Sequence, residues 1–258
     1  MKLCEHFFPN FFDIKNSKGI GFKDYWTGEK LQKVIRWNRQ SHSTPYLSEM
    51  RRGVIFCNGL TKNTMYRPHL AKMINLYYKS NNTIDSCCGW GGRLLGTIAA
   101  GASYTGYEPN NETYQHLLEL CDFLNIKNKV TLYNNGAENA ILAMQYDLSL
   151  TSPPYYNLEI YSTDITQSEN QYNNYEEWKI NWLFPVINNF SQHSKITCWN
   201  VANIGKIKLA DDIEQYLNKN NYKIDQIFSI GSSARQANQN EKKNKKNYDN
   251  TFCYKINN

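Results

Sequence analysis

Three short stretches bring together residue types whose spacing can do chemistry. The first runs from Asp85 to Arg93 and reads Asp-Ser-Cys-Cys-Gly-Trp-Gly-Gly-Arg, an acid ahead of three glycines. Glycine has no Cβ, so backbone at Gly89, Gly91 and Gly92 can approach a ligand that a side chain would hold off. No Gly-Lys-Ser/Thr follows, which excludes a P-loop, and the pattern departs from Gly-x-Gly-x-x-Gly, so a dinucleotide fits it poorly. The second is Glu108, 23 residues beyond Asp85. An acid at the end of the next strand can accept hydrogen bonds from both ribose hydroxyls of a nucleoside-containing cofactor. The third is Ser152-Pro153-Pro154-Tyr155. Two prolines fix φ, lack amide hydrogens and hold the residue before them extended. The corner projects carbonyl oxygens and the Ser152 hydroxyl as fixed acceptors, which suit an NH2 group with two hydrogens to donate. Tyr155 offers a flat face to an aromatic base. Cys87 and Cys88, inside the glycine turn, read as buried inert thiols rather than a redox pair.

These stretches need elements that place them together. Residues 61–80 carry Leu70, Met73, Ile74 and Tyr77 at helical spacing, with Pro68 in the first turn. A short strand then ends at Asp85, and Arg93–Ala100 resumes as a helix. Further strands are expected at Ser103–Tyr107, Lys129–Tyr133, Tyr146–Leu150, Lys195–Val201, Ile224–Ile230 and Phe252–Ile256. Helices are expected at Thr113–Leu124, Asn139–Met144, Tyr175–Phe190 and Ala210–Leu217. Strands alternating with helices indicate an α/β fold, a doubly wound, mostly parallel sheet of seven strands. Ligands in such sheets sit at the carboxyl ends of the strands, where Asp85–Gly92, Glu108 and Ser152–Tyr155 all fall. The domain reading is an N-terminal extension, residues 1–60, with a catalytic unit at 61–258.

With these motifs in order, the chain resembles the S-adenosylmethionine-dependent amino-methyltransferases of DNA, which methylate N6 of adenine or N4 of cytosine on a class I methyltransferase fold. The resemblance covers about residues 61–258, and Ser152–Tyr155 in register with the glycine motif is its most specific piece. Thr64–Ile74 is similar to the family's upstream cofactor segment. The resemblance implies S-adenosylmethionine as cofactor, with no metal. It assigns Tyr66, Asp85, Cys87, Gly89, Gly91, Glu108, Pro109, Gly136, Ala137 and Glu138 to that cofactor: Asp85, Gly89 and Gly91 to the methionine end, Glu108 to the ribose, 135–138 to the adenine. Ser152, Pro153, Pro154 and Tyr155 become the catalytic set and DNA the partner. Serine before the prolines leans the target slightly to cytosine N4, and leans away from relatives acting on RNA or protein glutamine, which usually carry Asn there. A catalytically silent nucleic-acid-binding module is the alternative from another class.

Composition bounds the rest. At 258 residues, 41% hydrophobic and 14% aromatic, the chain can bury a large core, which excludes wholesale disorder. No run of eighteen apolar residues occurs, so no membrane helix is expected, and the first twenty residues lack the pattern of a secretory signal. Seven cysteines without a Cys-x-x-Cys pair point to a reducing compartment, with no disulfide framework and no cysteine zinc site. The DNA partner that the resemblance implies makes that compartment the cytoplasm or another that contains DNA. A net charge of +6 permits a polyanionic partner. Five basic and two acidic residues fall between Arg235 and Asn250, and Lys242, Lys243, Lys245 and Lys246 are candidate phosphate contacts on a loop between the last two strands. The alternative DNA-contacting surfaces are the aromatic N-terminal arm before Thr61 and the Asn157–Asn174 stretch after the proline corner.

Overall fold

The computed structural model describes residues 2–41, 44, 46–58, 65–162, 164–231 and 248–257. The N-terminal extension contains α1 (Lys2–Phe7), a two-residue strand β1 (Lys15–Asn16), and helices α2 (Gly28–Gln40) and α3 (Leu47–Asn58). The alternating unit follows: α4 (Pro68–Tyr78), β2 (Asn82–Asp85), α5 (Gly92–Ala99), β3 (Ser103–Tyr107), α6 (Asn111–Phe123), β4 (Val130–Tyr133) and β5 (Tyr146–Thr151). After a second short strand, β6 (Glu159–Ile160), come α7 (Tyr175–Trp178), α8 (Phe184–Gln192), β7 (Ser194–Asn200), α9 (Leu209–Lys219), β8 (Tyr222–Gly231) and β9 (Tyr248–Ile256).

Local chemistry accounts for the boundaries. Pro68 opens α4, where its missing amide costs nothing. The Asn110 side chain accepts from the Thr113 amide and caps α6. Between α7 and α8 the helix widens into a π turn at Lys179–Leu183. Pro185 cannot donate to the Asn181 carbonyl, which accepts from the Tyr172 hydroxyl at 3.4 Å instead. The single helix expected over Tyr175–Phe190 is therefore interrupted. The short helix expected at Asn139–Met144 does not form; a 3-10 turn at Ala137–Asn139 ends before Ile141, which is 92% exposed. In α4 the buried stripe is Leu70, Ala71, Ile74 and Asn75, while Met73 and Tyr77 face outward.

Seven strands form one sheet in the order β4-β3-β2-β5-β7-β9-β8. The pairings β4-β3, β3-β2, β2-β5 and β5-β7 are parallel. β9 runs antiparallel between β7 and β8, so the last two strands make a hairpin around 232–247. Lys242, Lys243, Lys245 and Lys246 lie in that stretch, outside the described residues. One face of the sheet packs Leu148, Leu150, Cys198, Phe228 and Cys253 against α4. The other packs Ile84, Trp199 and Tyr254 against Trp178, Trp182, Phe190 and Ile213. Adjacent residues such as Cys198 and Trp199 thus enter opposite layers, as strand pleating requires. Cys198 and Cys253 are direct partners across β7 and β9, and a disulfide joins them. This one link is not a framework, since the other five cysteines are free, but nothing in the sequence signals it: the two residues are 55 apart, and only the antiparallel register brings them together.

The N-terminal extension packs onto the sheet unit. Cys4 and Phe8 are buried with Leu94, Leu117 and Leu120, and β1 pairs antiparallel with β6, just beyond the Ser-Pro-Pro-Tyr corner. α2 and α3 form a helical hairpin with a small core of its own around Val34 and Val54.

Candidate active site

The chain reverses its winding between β2 and β5, and their carboxyl ends lie side by side, with Ser86 Oγ 3.0 Å from Thr151 Oγ1. A crevice opens outside these ends, as expected where strand order switches direction. Three loops project into it.

The glycine turn follows β2 and is built on a buried ion pair. Asp85, fully buried, accepts from Arg93 Nε at 2.7 Å, the Tyr104 hydroxyl at 2.7 Å and the Cys87 amide at 3.0 Å. Arg93, on the first turn of α5, also donates to the Cys87 carbonyl, and its guanidinium lies 5.1 Å over the Tyr66 ring. Burial works against the charge of Arg93, but the carboxylate of Asp85, its hydrogen bond to Arg93 and the nearby Tyr104 and Tyr66 together outweigh it and keep the guanidinium charged. Gly89 and Gly91 adopt left-handed backbone, φ +53° and +72°. A Cβ on Gly91 would press on Leu117 and Leu120, so this glycine serves the packing beneath the turn. Burial pushes the Cys87 thiol up to about 12 and raises Cys88 as well, which leaves both unreactive.

Glu108 stands at the end of β3, 7% exposed. One carboxylate oxygen accepts from the Gly89 amide and the other from the Asn110 amide, each at 3.0 Å. Burial pushes its pKa up to about 7, while the two amide donors pull it down. Each oxygen keeps a lone pair for a further donor. Beyond β4, Gly136, Ala137 and Glu138 form a third wall, where the Glu138 carboxylate accepts from Trp182 Nε1 at 2.6 Å. Asn134 braces this wall by donating to the Glu108 carbonyl at 2.9 Å.

The Ser-Pro-Pro-Tyr corner leaves β5. Thr151 is fully buried, Ser152 half-buried, and Tyr155 lies with its hydroxyl at the Ala202 backbone. The next residue, Tyr156, has φ +54°, a left-handed turn that ends the extended run.

The glycine turn, Glu108, the 136–138 wall and the proline corner border a single cavity of about 960 Å³. Of the residues singled out from sequence, Tyr66, Cys87, Gly89, Glu108, Pro109, Gly136, Ala137, Glu138, Ser152, Pro153, Pro154 and Tyr155 line it. Asp85 and Gly91 do not. Asp85 has no exposed surface and spends its carboxylate on Arg93, Tyr104 and the Cys87 amide, so it acts by shaping the turn. Sequence reasoning missed a further group of wall residues. Asn200, ending β7, donates to Asp249 Oδ1 at 2.7 Å, and both face the cavity. The strand-end rule that marks Glu108 also marks Asn200, the last residue of its strand. Asp249, and Asp13, Ile14 and Lys15 of the N-terminal extension, had no local signal. Trp90 of the glycine turn is held between Phe11 and Tyr161, ring centroids 5.0 and 5.8 Å away, so the extension closes against the turn. Among the described residues no three His, Cys, Asp or Glu side chains are placed to hold a metal ion, and no helix is long and apolar enough to cross a membrane.

No family model matches this chain, and no curated protein matches it in sequence. Solved structures do match its backbone. Magnesium protoporphyrin IX methyltransferase (ChlM) from Synechocystis PCC 6803 with bound SAM is 13% identical with a TM-score of 0.50, over 91% of this chain and 94% of that one. The same enzyme with bound SAH gives a TM-score of 0.51 at 13% identity, over 91% and 97%. TrmN from Thermus thermophilus is 8% identical with a TM-score of 0.50, over 73% of this chain and 48% of its own. At identities this low the likeness is one of architecture, and it agrees with the strand order and the reversed β9: the chain has the class I methyltransferase fold.

Proposed function

We propose that this protein transfers a methyl group from S-adenosylmethionine to the exocyclic amine of a base in DNA, cytosine N4 or adenine N6, with the slight lean to N4. One observation carries the reading: the Glu108–Gly89 pair and the Ser152–Tyr155 corner, 44 residues apart in sequence, wall one cavity. Its volume of about 960 Å³ accommodates a nucleoside-sized cofactor and a base together. The residues present suit the cofactor. Glu108 has a free acceptor site on each oxygen for the two ribose hydroxyls, and the left-handed Gly89 keeps the turn clear of side chains. When bound, S-adenosylmethionine supplies a methyl group activated by its sulfonium charge.

The protein's part is to position and desolvate. A base amine is a poor nucleophile because its lone pair is delocalised into the ring. The Ser152 hydroxyl and the Pro153 carbonyl accept its two hydrogens, favour a pyramidal nitrogen and return the lone pair to it. Orientation for in-line transfer contributes about 7–11 kcal/mol. The target base must leave its duplex, at about a few kcal/mol. Tyr155 stacks on the extruded ring and offsets roughly 1–3 kcal/mol of that. The resemblance of Ser152-Pro153-Pro154-Tyr155 to the DNA enzymes favours DNA over RNA or a glutamine amide, and implies a DNA-containing compartment. A catalytically silent module would have no use for Glu108 and the corner in the same cavity. The test is titration with S-adenosylhomocysteine: saturable binding and a raised melting temperature are expected, both abolished in Glu108→Ala. A protein that ignores the ligand refutes the proposal.

A further inference from the structure

Besides the lysine-rich stretch between the last two strands, positive charge gathers on the helical hairpin of the N-terminal extension. Residues 28–58 contain six Lys and Arg against two acids, so 31 residues hold four of the chain's six net positive charges. In α2 the buried stripe is narrow, Val34 and Asn38 with half-buried Leu31. At 3.6 residues per turn Arg36 falls opposite that stripe, with Lys33 and Arg39 to either side and Lys30 one turn earlier. All four cations are exposed. Lys33 donates to the Cys57 carbonyl and Lys30 lies over the Tyr25 ring, contacts that leave their charges unneutralised. Arg36 and Arg39 form no ion pair with any described residue, whereas Arg51 and Arg52 of α3 pair with Glu5 and Glu49. From Lys30 to Arg39 the row extends about 14 Å along the helix at 1.5 Å per residue, which is about four base-pair steps of 3.4 Å.

The hairpin is also joined to the site. Arg51 and Ile55 of α3 border the same small cleft as Ile14, Leu158 and Glu159, and Arg51 lies 4.4 Å over the Phe12 ring. Ile14 and Glu159 in turn wall the large cavity, and β1 pairs with β6 three residues beyond Tyr156. A surface that ran only to solvation would be expected to mix its signs; this one is nearly all of one sign, and its partner helix α3 reaches the cavity wall through the small cleft.

We propose that the outward face of α2, Lys30, Lys33, Arg36 and Arg39, holds the phosphate backbone of duplex DNA beside the extruded base. This rests on the function proposed above for the cavity, and adds where the polymer is gripped. Phosphate contacts of this kind give affinity and register without reading sequence. The test is duplex DNA binding, by fluorescence anisotropy across a salt series, for the wild type, Arg36→Ala/Arg39→Ala and Arg36→Lys/Arg39→Lys. The alanine variant can no longer neutralise two phosphates, so its slope of log K against log salt flattens by up to about 1.8, and the lysine variant keeps the wild-type slope. Affinity for S-adenosylhomocysteine and melting temperature stay unchanged in both, since the side chains touch neither cavity nor core. An unaltered slope in the alanine variant overturns the proposal, as does a wild type that does not bind duplex DNA. The readout is binding alone, so a wild type that binds with the expected slopes yet methylates no base refutes the proposed activity and leaves the surface standing.

Discussion

Glu108 gives the sharpest quantitative test of the cofactor reading, because its environment ties affinity to pH. Burial holds its pKa near 7, well above an ordinary glutamic acid, with the amides of Gly89 and Asn110 as its donors. Two ribose hydroxyls add donors that favour the ionised form, so the bound state has a lower pKa than the free state. Lowering it by about two pH units takes about 2.7 kcal/mol, and two hydrogen bonds to a charged acceptor, at about 1.5–3 kcal/mol each, supply that. The sign follows: cofactor affinity rises with pH up to about 7 and falls away below it, as the free carboxyl takes up its proton. Between pH 5.5 and 8 the free carboxyl goes from about 3% to about 90% ionised, so affinity for S-adenosylhomocysteine rises about 20- to 30-fold. At pH 7, binding releases about half a proton, which calorimetry in two buffers of different ionisation enthalpy measures directly. Glu108→Gln, which cannot ionise, binds more weakly and with a flat profile across that range. A flat wild-type profile, or a Gln variant that keeps the wild-type slope, would refute the ribose contact.

Three other outcomes are expected. Tyr155→Ala lowers turnover at least tenfold with little change in affinity for S-adenosylhomocysteine, because its stacking acts on the base alone; steady-state kinetics beside calorimetry checks both halves. Ser152→Ala removes one acceptor of the target amine and lowers kcat by about tenfold, again with cofactor affinity kept, as single-turnover rates will show. Arg93→Met leaves Asp85 buried and unpaired, at a cost of about 3–5 kcal/mol in urea unfolding; a variant as stable as the wild type would mean the pair does not hold the glycine turn.

Much of the site was legible because strand ends in a doubly wound sheet are ligand positions, and the glycine turn, Glu108 and the proline corner all follow predicted strands. The placement of Asp85 was not. An acid closing a strand before a glycine turn reads the same whether it faces the ligand or the core, and only the positions of Arg93 and Tyr104 decide for the core. Asn200 and Asp249, 49 residues apart, meet through the antiparallel pairing of β7 with β9, which local pattern does not encode. The same holds for the Cys198–Cys253 disulfide. In α4, Met73 and Tyr77 share the helical period with Leu70 and Ile74, yet Ala71 and Asn75 take the buried side; Asn75 is welcome there because it donates to the Ala71 carbonyl and to Thr97. The walls supplied by the extension depend on the β1–β6 ribbon, two residues on each side, too short to announce itself in sequence.

The central claim is that a base amine in DNA receives the methyl group, and nucleoside analysis tests it most directly. Duplex DNA is incubated with the protein and S-adenosylmethionine bearing a deuterated methyl, digested to nucleosides and examined by mass spectrometry. The account predicts deuterated N4-methylcytosine or N6-methyladenine, absent when Ser152→Ala/Tyr155→Ala replaces the wild type. No labelled base in DNA, with label appearing instead in RNA or protein exposed to the same enzyme, would contradict it.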